Sequence, residues 1–196
     1  MPYKRFCIKV SFDLDSVIFD LNALMSRAFT GSGQKYTYPT NWNIFSCYSP
    51  DIAQKMECLF RDDYLYQTPL LDKKMPEILN SLMKRSDLEV FFVTERRTKQ
   101  PLKTFNQLKS AGINCSFNQV YDQEGAKADI LKQINTDLHF DDSPIVVKGC
   151  LEQHVPIVMI SNNTTPYNHF LRNRVEHYVN LRTALIYKGL YDPKHL

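Results

Sequence analysis

The chain has 196 residues, with 24 Lys and Arg against 21 Asp and Glu, for a formal charge of +3. That length allows one sizeable domain with room for a smaller insertion. Hydrophobic residues at 43% and charged residues at 23% exclude a disordered or fibrous chain, and a charge so near zero gives no electrostatic case for nucleic acid.

Phe6 to Phe12 alternates, with Phe6, Ile8, Val10 and Phe12 on one face, and predicts a strand that stops at Asp13. From Asp20 to Gln67 no strand is predicted. Helices are expected over 20–29 and 50–61, with Gly31-Ser32-Gly33, Pro39 and the aromatics Tyr36, Tyr38, Trp42, Phe45, Tyr64 and Tyr66 around them. Following the first strand directly, this stretch reads as a small helical cap (20–67) over that strand's carboxyl end, on a core made of 1–19 and 68–196. Pro76 sits where a first-turn proline is tolerated, and Ile78, Leu79, Leu82 and Met83 follow at helical spacing. Leu88 to Val93 is a second strand, ending at Thr94. Leu102, Phe105 and Leu108 continue as a helix that Ala111-Gly112 stops. A weaker third strand is expected over 113–120, then a helix over 126–134. Asp137 to Phe140 is a fourth strand, ending at Asp141-Asp142, with a helix over 146–153 behind Pro144. Val155 to Ile160 is a fifth, and 174–190 a last helix with Leu181, Ala184 and Leu185 on one face. Strands alternating with helices predict an α/β fold, a doubly wound, Rossmann-like parallel sheet of about five strands covered on both faces. Right-handed crossovers, and the need to bring Asp13 beside Asp141, predict the strand order 5-4-1-2-3.

In such a sheet, ligands bind outside the carboxyl ends of the strands. Those ends carry Asp13 and Asp15, Thr94, and Asp141 with Asp142, and Lys127 opens the helix before the fourth strand. Crowded carboxylates raise one another's pKa unless a cation lies among them. Hard oxygen ligands with open positions suit Mg²⁺ and a substrate phosphate. Each residue also has a plainer role: Asp13 and Asp15 can cap a helix near Val17, Asp141-Asp142 the next helix, and Thr94 the one through Leu102. Arg96, Arg97, Lys99 and Lys103 read as a solvated basic face. The 5 histidines make no ligand spacing and read as structural or exposed.

Phe12-Asp13-Leu14-Asp15-Ser16-Val17 resembles the first motif of the haloacid dehalogenase superfamily of phosphohydrolases, an apolar strand ending in D-x-D-x-[TV]. Val93-Thr94 is similar to its second motif, Gly125-Ala126-Lys127 to its third, and Phe140-Asp141-Asp142-Ser143-Pro144 to its fourth. Within the superfamily, Asp13 to Asp20, the cap after the first strand, and Thr165-Pro166-Tyr167-Asn168 near the end resemble the small cytosolic 5′(3′)-deoxyribonucleotidases. Ser16 stands where that group has glycine, and Glu95 follows Thr94 where a small residue is usual.

The resemblance implies a haloacid dehalogenase-like fold and a Mg²⁺-dependent phosphomonoesterase. Asp13 is then the nucleophile that forms an aspartyl-phosphate, and Asp15 the general acid and base. Thr94 and Lys127 bind the phosphate, and Asp13, Asp15 and Asp141 hold the metal, with Asp142 as a further ligand. Trp42 is a candidate for the substrate pocket. The implied substrate is a small phosphate ester, best a nucleoside monophosphate. A sugar phosphatase or nucleic-acid 3′-end phosphatase of the same fold, and a non-catalytic phosphate or nucleotide binder, stay open beside it. No stable nucleic-acid complex is expected, and the chain is read as a monomer or homodimer.

No apolar run approaches the ~18 residues of a membrane span, and no charged-then-apolar leader opens the chain. The 5 cysteines are scattered without a C-x-x-C pair, a pattern of buried thiols in a reducing compartment. The chain is therefore expected in the cytoplasm, away from membranes.

Overall fold

Three phenylalanines lie side by side across the middle of the sheet. Phe12 pairs with Phe92 on one neighbouring strand and with Phe140 on the other. All three are fully buried, and the Phe12 and Phe140 rings stack with centroids 5.3 Å apart. The structure is a computed structural model, and it describes residues 7–41, 43–61, 63–96, 100–122, 126–161, 171 and 173–195. Its strands are β1 (Ile8–Phe12), β2 (Leu88–Thr94), β3 (Val120–Asp122), β4 (Leu138–Asp141), β5 (Ile157–Ile160) and β6 (His177–Tyr178). They form one 6-stranded sheet in the order β3-β2-β1-β4-β5-β6, with every pairing parallel. The expected central order is present, and β6 extends it by one edge strand.

The helices are α1 (Leu21–Ser26), α2 (Pro50–Arg61), α3 (Met75–Met83), α4 (Pro101–Ser110), α5 (Lys127–Gln133), α6 (Pro144–Glu152) and α7 (Leu181–Tyr187). On one sheet face, Val10, Phe12, Val90 and Phe92 pack against Ile78, Leu79 and Leu82 of α3, Leu108 of α4, and Leu181, Ala184 and Leu185 of α7. On the other, Phe91, Val93 and Met159 pack against Ala128 and Leu131 of α5 and Val147 and Cys150 of α6. Because both faces are covered, Val90 to Thr94 is buried without alternation.

Between β1 and α3 the chain leaves the sheet and returns beside itself. Asp20 N donates to Pro69 O at 2.8 Å, and Phe19 bridges Leu70 in antiparallel fashion. The excursion has a core of its own: Met25, Ala28, Phe29, Ile52 and Met56 form a cluster distinct from the two that flank the sheet. Phe29, Tyr36, Tyr38 and Tyr48 meet edge to face beside it.

Several expectations need correction. The third strand is not 113–120 but Val120–Asp122, so Asp122 lies inside it. Ile113 and Cys115 are buried as loop, and Phe117–Gln119 forms a 3-10 turn closed by the Gln119 side chain, which accepts from Ser116 N at 2.7 Å. The last helix covers only Leu181–Tyr187: Asn180 caps it, accepting from Thr183 N at 2.8 Å, and β6 precedes it. Among the cysteines only Cys115 and Cys150 are buried; Cys7 and Cys58 are exposed and all five are free thiols. Among the described residues no helix is long and apolar enough to cross a membrane.

Candidate active site

In an extended strand Asp13 and Asp15, two residues apart, would share one face. The chain instead leaves β1 in a tight turn. Asp13 N still donates to Phe140 O on β4 at 2.9 Å. Leu14, fully buried, then turns its carbonyl to accept from Ile18 N and Phe19 N at 2.9 and 2.8 Å. Ser16 takes the left-handed conformation, φ 64°, which costs a non-glycine residue about 1–3 kcal/mol where surrounding structure enforces it. The two carboxylates thereby line one cavity.

Lys127, at the start of α5 and 4% exposed, joins the next pair. Its Nζ donates to Asp13 Oδ1 at 2.6 Å and to Asp141 Oδ2 at 2.7 Å. Burial works against the ammonium, yet Asp13 and Asp141 hold its pKa above the ordinary lysine value. Burial, helped by Asp141 and Asp15, pushes the Asp13 carboxyl up to about 7 despite Lys127. Burial also acts to raise Asp141, but Lys127 and His139 outweigh it and keep that carboxyl low. Asp142 is raised well above its usual value by burial and then by Asp13 and Asp141. Thr94, buried at the end of β2, completes the arc.

Asp141 is fixed from three sides. Ser143 N donates to Oδ1 at 2.7 Å, and His139 Nε2 lies 2.9 Å from Oδ2, where Lys127 also donates. A carboxylate only accepts, so Nε2 donates to Asp141, and Nδ1 lies 2.8 Å from Ser11 Oγ and 3.1 Å from the Ser11 carbonyl oxygen. Burial lowers the His139 pKa below the ordinary imidazole value, against the raising influence of Asp141. His139 is structural, as expected, with the added task of orienting an acidic neighbour.

Arg96 contradicts the solvated-face expectation. Its side chain is 1% exposed. Nε and Nη2 donate to Oδ2 and Oδ1 of Asp15 at 2.9 and 2.7 Å, a bidentate fork. Nη1 donates to Gln107 Oε1 on α4 at 2.7 Å. The signal available in the sequence was Thr104 and Gln107, polar residues three apart on the buried side of a helix, which need a polar partner. Of the rest of that cluster, Lys103 is exposed and pairs with Asp63, and Arg97 and Lys99 lie outside the described residues. Trp42, Gly125 and residues 165–168 also lie outside them.

The cavity holds about 270 Å³. Asp13, Asp15, Thr94, Arg96, Lys127 and Asp142 line its floor, and Leu21, Met25, Ile44, Phe45, Phe60 and Leu65 its walls. Asp141 lies behind Lys127, fully buried. Asp13, Asp141 and Asp142 each offer a carboxylate oxygen within 4.8 Å of the others. Asp13, Asp15, Asp141, Asp142 and Glu95 meet two cations here, Arg96 and Lys127, leaving three negative charges uncompensated when all are ionised. A divalent cation would relieve this, so the donor set fits Mg²⁺.

No family model matches the chain, and no curated protein matches it. Its structure is similar to a haloacid dehalogenase-like hydrolase from Streptococcus pneumoniae, at 16% identity and TM-score 0.65, covering 93% of this chain and 98% of that one. It is similar to a HAD family hydrolase from Deinococcus radiodurans with bound phosphate and sodium, at 14% identity and TM-score 0.62, covering 97% and 100%. The fold is haloacid dehalogenase-like. A third likeness is the magnesium-bound YfnB of Bacillus subtilis, named as a HAD hydrolase, at 15% identity and TM-score 0.59 over 95% and 99%.

Proposed function

We propose that the chain is a Mg²⁺-dependent phosphomonoesterase that works through an aspartyl-phosphate on Asp13. The observation that carries this is Lys127 holding Asp13 at 2.6 Å on the floor of a cavity that Asp15 and Thr94 share. Phosphate with sodium in the Deinococcus protein and magnesium in the Bacillus protein support the same site chemistry.

Asp13, Asp141, Asp142 and the Asp15 main-chain carbonyl would hold the metal, with Asp142 the acidic partner that faces the cavity. Bound there, Mg²⁺ supplies charge neutralisation that lets an anionic carboxylate and a phosphate dianion meet. Asp13 attacks phosphorus, and the ester oxygen departs. Asp15 gives that oxygen its proton and later takes one from the water that hydrolyses the acyl-phosphate. Lys127 steadies the nucleophile and a phosphate oxygen, and Thr94 donates to another. His139 and Ser143 N keep the Asp141 carboxylate in one orientation beneath Lys127.

Residues 20–67 act as a cap, on a core of 1–19 and 68–196. Apart from Asn22, the cap's side of the cavity is apolar, with the Phe45 and Phe60 rings 5.9 Å apart and near perpendicular. An apolar, ring-lined wall suits a nucleobase better than a sugar, whose hydroxyls would need several polar partners. The substrate is therefore a small phosphate ester, best a nucleoside monophosphate.

The test is purified protein with Mg²⁺ against nucleoside monophosphates, sugar phosphates and a 3′-phosphorylated oligonucleotide. The expected result is fastest phosphate release from a nucleoside monophosphate. Preference for a sugar phosphate or the oligonucleotide end would replace the substrate, and no release from any ester would support a binder.

A further inference from the structure

We propose that Asn22, oriented by Tyr36, reads the leaving group of the substrate: its side-chain amide donates a hydrogen bond to a carbonyl oxygen on the base. The proposal rests on the reading of that substrate as a nucleoside monophosphate.

Among the described residues, Asn22 is the one polar side chain that the cap brings to the cavity. It lies on α1 beside Leu21 and three positions before Met25, which line the same wall. The residue is 6% exposed, and a buried amide is expected to have both its oxygen and its nitrogen bonded. Tyr36 Oη donates to Oδ1 at 2.5 Å, but among the described residues no acceptor takes a proton from Nδ2. Nor is Nδ2 sealed off: the fully enclosed, unbonded side-chain atoms among those residues are Ser49 Oγ and Asp122 Oδ1. Oδ1 and Nδ2 diverge from one carbon, so the oxygen that turns to Tyr36 leaves the nitrogen to the cavity.

Tyr36 decides which end of the amide faces which way. Burial, and after it Tyr48, raises the phenol pKa above its ordinary value. The hydroxyl therefore keeps a proton to give, and the oxygen end of the amide is the end that accepts it. The Tyr36 ring is held edge to face against Phe29 and Tyr38, with centroids 5.4 and 5.5 Å away. Asn22 thus offers the cavity a donor and no acceptor.

That constrains what sits opposite. The surrounding wall is apolar, with Leu21, Met25, Phe45 and Phe60. A flat ring with a carbonyl at its edge satisfies both, its face against the apolar side chains and its oxygen against Nδ2. An exocyclic amine there would set donor against donor and leave the buried amide unbonded. A sugar hydroxyl would accept from Nδ2, but it brings its own proton to a wall whose one side-chain oxygen, among the described residues, is already taken. Asn22 is a specificity residue: it touches the base and not the reacting atoms.

The test compares uridine 5′-monophosphate with its analogue carrying phenyl in place of uracil, which keeps the sugar and the phosphate. The readout is the ratio of their kcat/KM values with Mg²⁺. Asn22→Leu should lower that ratio by roughly 5–150-fold, the worth of a buried donor's hydrogen bond, chiefly through a higher KM for uridine monophosphate. Tyr36→Phe keeps the ring and lets the amide turn, and it should give part of the same loss. A ratio that does not move in Asn22→Leu would overturn the proposal. Equal losses on both nucleotides would do the same, because they mark a contact with the shared sugar or a structural role. If Asn22→Leu gives no cooperative melt, Tyr36→Phe decides: an unchanged ratio overturns the proposal. Failure of the phosphatase reading looks different, since the unmutated chain would then release phosphate from neither nucleotide, and the proposal would fall with it.

Discussion

Lys127 donates to Asp13 across 2.6 Å, although 114 positions separate them in the chain. Both side chains are almost wholly out of water. A buried ammonium between two carboxylates is costly to leave unpaired from either side, so this contact organises the floor of the site. Lys127→Met should therefore destabilise the protein by about 3–5 kcal/mol, the usual cost of breaking a buried pair from one side. Urea unfolding of the variant checks this, and an unchanged midpoint would mean that the ammonium does not hold the carboxylates.

Mg²⁺ should raise the melting temperature, because a ligand of the native state stabilises it by about 2.7 kcal/mol at a hundred times its Kd. Asp142→Asn removes the acid that faces the cavity and should shrink the Mg²⁺-dependent shift, and a chelator should abolish turnover. Full activity with chelator present would remove the metal from the account.

Ser16 sits at φ 64° in the turn that brings Asp13 and Asp15 together. Glycine adopts that conformation without steric cost, though its unfolded chain is freer. Ser16→Gly should stabilise the protein by about 1 kcal/mol, the relief of left-handed strain less that added freedom. A denaturant midpoint that falls would show that the serine side chain contributes more than its backbone costs.

Asp72, just after the chain returns beside Phe19 and Asp20, accepts from Arg182 Nε of α7 at 2.6 Å. Partial burial acts to raise its carboxyl, but the Arg182 hydrogen bond and Lys74 N outweigh it, and the pKa is lowered. A carboxyl depressed on folding adds stability above its unfolded value, near 3.8, and loses it as pH falls through the folded one. Asp72→Asn should accordingly cost under about 1 kcal/mol at pH 7, given the pair's exposure, and progressively less as pH falls below the unfolded value of 3.8. A cost that does not change with pH would rule out the ion pair as the cause.

What the sequence revealed, and what it hid, follows the range of the interactions. The apolar strands before Asp13, Thr94 and Asp141 are local patterns, and their order across the sheet follows from the crossover rule. Lys127 was legible because it opens a helix one unit ahead of β4. Arg96 was not: in the chain it stands in a basic run, and only the fold brings it to Asp15, 81 positions earlier, and to Gln107. The bounds of β3 were missed because a side-chain cap, Gln119 onto Ser116, holds Phe117–Gln119 in a turn. β6 has two residues, too few for a period to register.

The central claim is that Asp13 carries the phosphoryl group. The most direct measurement is an acid quench of the Mg²⁺-loaded protein during turnover of a radiolabelled phosphate ester, followed by peptide mapping. The account predicts acid-stable, hydroxylamine-sensitive label on the peptide holding Asp13, and neither label nor turnover in Asp13→Asn. Turnover that persists in Asp13→Asn, or label on another residue, would contradict it.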